Sequence, residues 1–161
     1  MLSLWLGAAL FFSAVVAPNV FGVLHGFDVA NSGEIAGAIV NRTLRVINLS
    51  GFIAGLVLLL VSVWRRNEKR ISFFLNLIAL SLMTVATAVG HWIVAARLAA
   101  LRLAMVVPID EVHLDDPRRV EFSKLHGYSV TLLAIAMLAA IAGIILSLTM
   151  RLRDERSLIK K

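Results

Sequence analysis

The chain has no cysteine, a single tyrosine and three prolines in 161 residues, and four long stretches contain no Lys, Arg, Asp or Glu at all. The missing cysteine excludes disulfides, thiolate nucleophiles and cysteine-based metal sites. Any metal or cofactor would have to rely on histidine, carboxylate or methionine. The uncharged stretches are residues 1–24, 46–64, 71–96 and 125–150, the last two holding one histidine each. About 20 apolar residues span the hydrocarbon of a bilayer, so four crossings and short connections use nearly the whole length. No room is left for a separate soluble catalytic domain.

What is present agrees with that reading. Sixty per cent of the residues are hydrophobic, where a soluble domain carries roughly 45–50%. Backbone groups in lipid must be paired within their own segment, and these runs lack the alternation of barrel strands, so they read as helices. The first run has no basic leader and is long for the apolar core of a signal peptide, which predicts a retained first helix. The net charge of +6 does not point to nucleic acid, because the basic residues stand beside the apolar runs, where they set topology and meet anionic lipid.

The expected fold is an all-α membrane protein. It is a four-transmembrane-helix bundle, a single domain over 1–161, with helices at about 2–24, 33–64, 71–107 and 117–153. The long second, third and fourth helices project from the bilayer. Two charge-rich regions fall on one side: Arg65, Arg66, Lys69 and Arg70 between the second and third helices, and Arg151, Arg153, Arg156, Lys160 and Lys161 in the tail. These nine basic residues meet only Glu68, Asp154 and Glu155. The seven on the other side (Arg42, Arg45, Arg97, Arg102, Arg118, Arg119 and Lys124) meet seven acids. The positive-inside rule then places both termini in the cytoplasm of a plasma or inner membrane.

Local signals set the helix ends. Ser32 with Glu34 starts the second helix well before its apolar part, giving about 33 residues and roughly 50 Å. Pro108 stops the third. Asp116 caps the fourth, with Pro117 at its first position. The stretch between Pro108 and Pro117, with Asp110, Glu111, Asp115 and Asp116, reads as a solvated acidic loop. Gly51 and Gly55 form a GxxxG on the second helix, and Ala136, Ala140 and Gly143 give the fourth a small face, as close packing in lipid requires.

Polar groups at membrane depth usually point into the bundle or a wet cavity. Thr84, Thr87, His91 and Ala95 share a face of the third helix, and Glu34, Asn41, Arg45 and Asn48 share a stripe on the second. Together with His126 on the fourth helix, they predict an outward polar pocket between helices two, three and four. Imidazoles of His91 and His126 suit haem, a chlorin or copper. The bland alternatives are a buried His91 bonded to Asn48 or Glu34, an interfacial His126, a solvated turn for His25 beside Asp28, and an internal Glu34–Arg45 ion pair. The sequons at Asn41 and Asn48 lie on an expected helix and read as chance matches. No nucleophile with a base, phosphate loop or metalloprotease pattern occurs.

Three segments carry a family resemblance: Val16-Ala17-Pro18-Asn19-Val20-Phe21, Ser32-Gly33-Glu34-Ile35-Ala36-Gly37, and Phe122-Ser123-Lys124-Leu125-His126-Gly127-Tyr128-Ser129. Together they resemble the transmembrane-protein-205-like family, four-helix membrane proteins whose defining domain has no settled function. The third helix departs from the family's pattern, with Ala95, Ala96 and Arg97 where a proline often follows the span. The resemblance implies a four-helix membrane fold and gives weight to His126 and Ser129. The family is remotely similar to copper-export D proteins and to small haem-binding protoporphyrinogen oxidases, an analogy of fold alone. The expectation for function is a non-enzymatic accessory or assembly subunit of a larger membrane complex. Its partners are lipid and other membrane subunits or itself. The alternative is a protein that binds or transports a metal, haem or small cation in the His91–His126 pocket. A haem-dependent redox enzyme comes third.

Overall fold

A computed structural model describes residues 1–27, 29–64, 71–109 and 111–159, with side chains as far as Thr149 and that of Leu152. Asp28, Asp110, the basic hairpin with Arg65, Arg66, Glu68, Lys69 and Arg70, and the tail residues Lys160 and Lys161 lie outside the described residues. So do the side chains of Arg151, Arg153, Asp154, Glu155 and Arg156. Four helices are long and apolar enough to cross a membrane: α1, Leu2–Gly26; α2, Ser32–Trp64; α3, Ile71–Ala104; and α4, Pro117–Ile159, whose spanning part ends at Thr149. Among the described residues there is no strand. The chain is an all-α bundle, as the uncharged runs require.

Each helix packs on the next, and α4 closes the ring against α1. All four contribute to one core of Trp5, Ala9 and Phe12 from α1, Val40, Leu44 and Ile47 from α2, Met83 and Ala86 from α3, and Leu133, Ala136, Ala139 and Ala140 from α4. A smaller cluster of Val94, Leu98 and Leu125 sits towards the 105–116 connection. That end of the bundle is called the loop end below.

Small residues let the backbones approach, but the GxxxG of α2 does not form one face towards one partner. A Cβ at Gly51 would lie 2.7 Å from the Trp5 indole of α1, whereas Gly55 abuts Thr84 of α3. Two glycines one turn apart therefore serve two different neighbours, and Gly143 of α4 meets Leu2 and Asn76.

The helix ends differ in part from the sequence-based bounds. The α2 helix opens at Ser32, where the Asn31 carbonyl takes the first helical bond from Ile35 N–H at 3.0 Å. Asn31 itself has φ 57°, a left-handed conformation that asparagine tolerates. The α3 helix ends at Ala104, short of the expected 107, with Met105 extended. Arginine side chains account for this: Arg102 in the last turn takes the carbonyls of Met105 and Val107, and Arg118 from α4 takes that of Ala104, so these groups need no further helical turn. The α4 helix starts at Pro117 and continues to Ile159, beyond the expected 153, through a stretch with no glycine or proline to stop it.

Two helices contain a π turn. In α1 it covers Phe12–Val16, and Ala17 N–H bonds the Phe12 carbonyl five residues back. Pro18 follows after Ala17, and a proline ring, lacking an N–H and clashing with the preceding turn, opens a helix in this way. In α3 the π turn covers Val89–Val94, and Ala95 N–H bonds Gly90.

Candidate functional site

The polar residues of α2 and α3 meet along one antiparallel seam whose register is set by four contacts. Gly55 faces Thr84, and Gly90 faces Asn48, so that a Cβ there would come 2.9 Å from Asn48 Nδ2. Next, His91 Nδ1 lies 3.0 Å from the Arg45 carbonyl. At the loop end, Arg102 Nη2 donates to Glu34 Oε1.

His91 sits inside the π turn of α3, a distortion that recurs at functional sites. A carbonyl oxygen only accepts, so the hydrogen bond to Arg45 places a proton on Nδ1 and leaves Nε2 as the lone-pair nitrogen of the neutral ring. The ring is half-buried. Trp92 stands edge-on to it at 4.8 Å between centroids, and Phe52 of α2 stands edge-on to Trp92 at 4.8 Å. This is the chemistry of a fixed tautomer: one nitrogen anchored to backbone, the other available to a proton or a metal ion.

The other predicted site residues divide. Asn48, Thr87 and Ser129 are buried, and Asn41 is half-buried. Thr87 Oγ1 donates to Met83 O at 2.9 Å and Thr84 O at 3.0 Å, turning back on its own helix. Ser129 shares the inward face of α4 with Leu125 and Leu133. His126 stands on the flank of that face and is exposed, as are His25 and the Arg45 side chain. The structure thus brings His91 to Arg45 and Asn48 to Gly90 on the same seam, and it does not turn His126 inward to join them. Among the described residues no group of three or more His, Asp or Glu is placed to hold a metal ion.

Glu34 does not pair with Arg45, as the shared stripe suggested. Its partner is Arg102, which comes to it across the helix seam, while Arg45 is turned to the exposed side.

Arginines at the loop end hold backbone carbonyls, and sequence reasoning missed this. Besides Glu34, Arg102 holds the carbonyls of Met105 at 2.8 Å and Val107 at 3.2 Å through Nη1, while its Nε is buried without a hydrogen-bond partner. Arg118 Nη1 donates to Ala104 O at 2.8 Å, and Arg119 Nη1 donates to Val112 O. The available signal was the position of Arg102 in the last turn of α3, where basic side chains commonly take the final carbonyls. Asp116 caps α4 as expected, accepting from Arg118 N–H at 2.8 Å and from the same guanidinium at 3.1 and 2.8 Å. Those bonds from Arg118 hold its carboxyl well below the ordinary 3.8, at about 2.

No curated protein and no solved structure matches this chain. One family model does match, that of a domain of unknown function, DUF4149, over residues 1–106. The match takes in α1, α2 and all of α3 with His91, and stops before the His126 and Ser129 segment. It covers more than half of the 161 residues, and the chain belongs to the DUF4149 family.

Proposed function

We propose that this protein is a non-enzymatic accessory or assembly subunit of a larger membrane complex, held in a plasma or inner membrane with both termini in the cytoplasm. The observation that carries this reading is how the interior uses its polar atoms. Thr84 and Thr87 bond back to α3 carbonyls, Trp5 Nε1 donates to Ile47 O at 2.9 Å, and Ser147 Oγ reaches Asn76 Oδ1 at 3.5 Å. The threonine bonds close on their own helix, and those of Trp5 and Ser147 tie helix to helix. A bundle so closed offers its outer faces, which carry many exposed large apolar side chains, as its main resource for contact. The unequal distribution of basic residues supports the orientation. The narrower kinship to transmembrane-protein-205-like proteins is part of the same proposal and rests on the three segments that suggested it.

A second reading is favoured by one specific observation, the anchored His91. With Nδ1–H held by Arg45 O, Nε2 can bind copper, haem iron or a chlorin metal, or accept a proton. One purification in mild detergent separates the two. Stoichiometric co-purification with other membrane proteins, in a colourless and metal-free preparation, is the result expected of an accessory subunit. A Soret band or stoichiometric copper, lost in the His91→Ala, His126→Ala double variant, would reject that reading in favour of the second.

A further inference from the structure

Two arginines on α2, Arg42 and Arg45, have exposed side chains and enter no ion pair among the described residues. The other charges of the loop end are engaged or lie elsewhere. Glu34, roughly 12 Å along α2 from Arg42, holds Arg102; Asp116 holds Arg118, Asp115 stands 3.6 Å from His113, and Arg119 donates to the Val112 carbonyl. Glu111 is in the 105–116 connection, Arg97 is on α3, and Glu121 and Lys124 are on α4, which packs on α3 and α1.

Contacts across the α2–α3 seam place the two arginines. Along α2, Arg42, Arg45, Leu49 and Phe52 recur at helical spacing and so share one stripe. Phe52 meets Trp92 of α3 edge-on, and His91, beside Trp92, bonds the Arg45 carbonyl, so the stripe runs along the α3 side of α2. It opens outward, for Leu49 is 38% and Trp92 51% exposed. The arginines stand at its outer end, and Leu49, Phe52 and Trp92 lead from them into the uncharged run that begins at Val46.

Apolar side chains surround this stripe. Ile39 and Val46 on α2 and Ile93 on α3 are exposed. On the inward side of α2, Val40 and Leu44 share the core with Ala9 and Phe12 of α1, and α1 carries no charge anywhere from Met1 to Phe27. The arginines are therefore level with the middle of an uncharged stretch that continues roughly 20 Å farther towards the loop end. Unpaired cations among lipid-facing apolar groups are costly unless an anion reaches them. The anions at a bilayer boundary are lipid phosphates, whose oxygens match the planar fork of a guanidinium.

We infer that Arg42 and Arg45 seat the phosphodiester of an anionic phospholipid from the loop-end leaflet, with an acyl chain along Leu49, Phe52 and Trp92. Both guanidinium groups donate to the non-ester oxygens of one phosphate. A choline headgroup would bring an ammonium beside two guanidinium groups, so a headgroup without one is preferred. This inference is independent of the accessory and the metal-binding readings.

The test titrates the full chain, delipidated in mild detergent, with phosphatidylglycerol and with phosphatidylcholine of the same acyl chains, and follows bound lipid by native mass spectrometry. Phosphatidylglycerol should bind about tenfold more tightly, and Arg42→Gln combined with Arg45→Gln should remove about that factor. Arg42→Lys with Arg45→Lys keeps the charge without the fork and should lose about threefold. The control pair Arg97→Gln and Lys124→Gln, which removes the same charge from the same end, should lose clearly less. Equal affinity for the two lipids, no loss in the glutamine pair, or an equal loss in the control pair would each overturn the inference. Displacement of the lipid by inorganic phosphate at equal concentration would also overturn it, because the site would then take a free anion. If the glutamine pair lowers the thermal midpoint of the lipid-free protein, the lysine pair decides, and unchanged affinity there rejects the site.

Discussion

The indole of Trp5 packs against the backbone of α2. Its Nε1 donates to Ile47 O at 2.9 Å, and its ring passes so close to Gly51 that an added Cβ would stand 2.7–2.8 Å from three ring atoms. A rigid ring cannot yield without giving up its hydrogen bond. Gly51→Ala should therefore cost about 1–3 kcal/mol, the usual range for overpacking. Trp5→Phe removes both the crowding atoms and the hydrogen bond, itself worth about 0.5–1.5 kcal/mol. The double variant should cost clearly less than the sum of the two, because both changes act at one contact. Reversible unfolding in mixed detergent micelles measures all three; strict additivity would mean that the two residues do not meet.

Among the elements, the start of α4 and the end of α3 show different physics. Asp116 and Pro117 form a local start signal, readable from sequence because cap and first turn lie within three residues. The carboxyl of Asp116 has its pKa lowered to about 2 by Arg118. A group depressed in the folded state contributes stability above its unfolded value of 3.8, and that contribution is lost as pH falls towards about 2. The thermal midpoint of the natural protein should therefore drop across this window more than that of Asp116→Asn, which keeps a capping side chain without the charge. The stop of α3 was legible only in part: Arg102 in its own last turn takes two carbonyls while holding Glu34 on α2, but Arg118 reaches Ala104 from α4, which no local pattern shows. A lysine cannot serve those three acceptors with a planar fork. Arg102→Lys should thus loosen the 105–116 connection almost as much as Arg102→Met, seen as faster proteolytic cleavage there, with the four helices retained by circular dichroism. The four spans were legible in the same sense as the cap, since uncharged runs need no tertiary information. The candidate site was legible only in part. Helical spacing put His91 and Asn48 on stripes of two helices, and the structure has Asn48 against Gly90, next to His91; spacing could not show that α3 contains a π turn at Val89–Val94, nor that Arg45 would turn outward.

At the scale of the whole molecule, sidedness decides which compartment the loop end and the His91 seam face. The proposed orientation puts the basic stretch 65–70 in the cytoplasm and the loop end on the opposite side. The natural absence of cysteine makes this directly measurable, because any introduced thiol is the sole target for a maleimide. Leu114 is exposed at the loop end, so Leu114→Cys should react with a membrane-impermeant maleimide in intact cells. Asn67→Cys, in the basic hairpin, should react only after the membrane is opened. The two sites are separated by α3 alone, which is long and apolar enough to cross a membrane, so they must lie on opposite sides if α3 spans. Labelling of both from outside would mean that α3 does not cross. The reverse pattern would invert the protein, carrying the loop end, with the Glu34–Arg102 pair, into the cytoplasm.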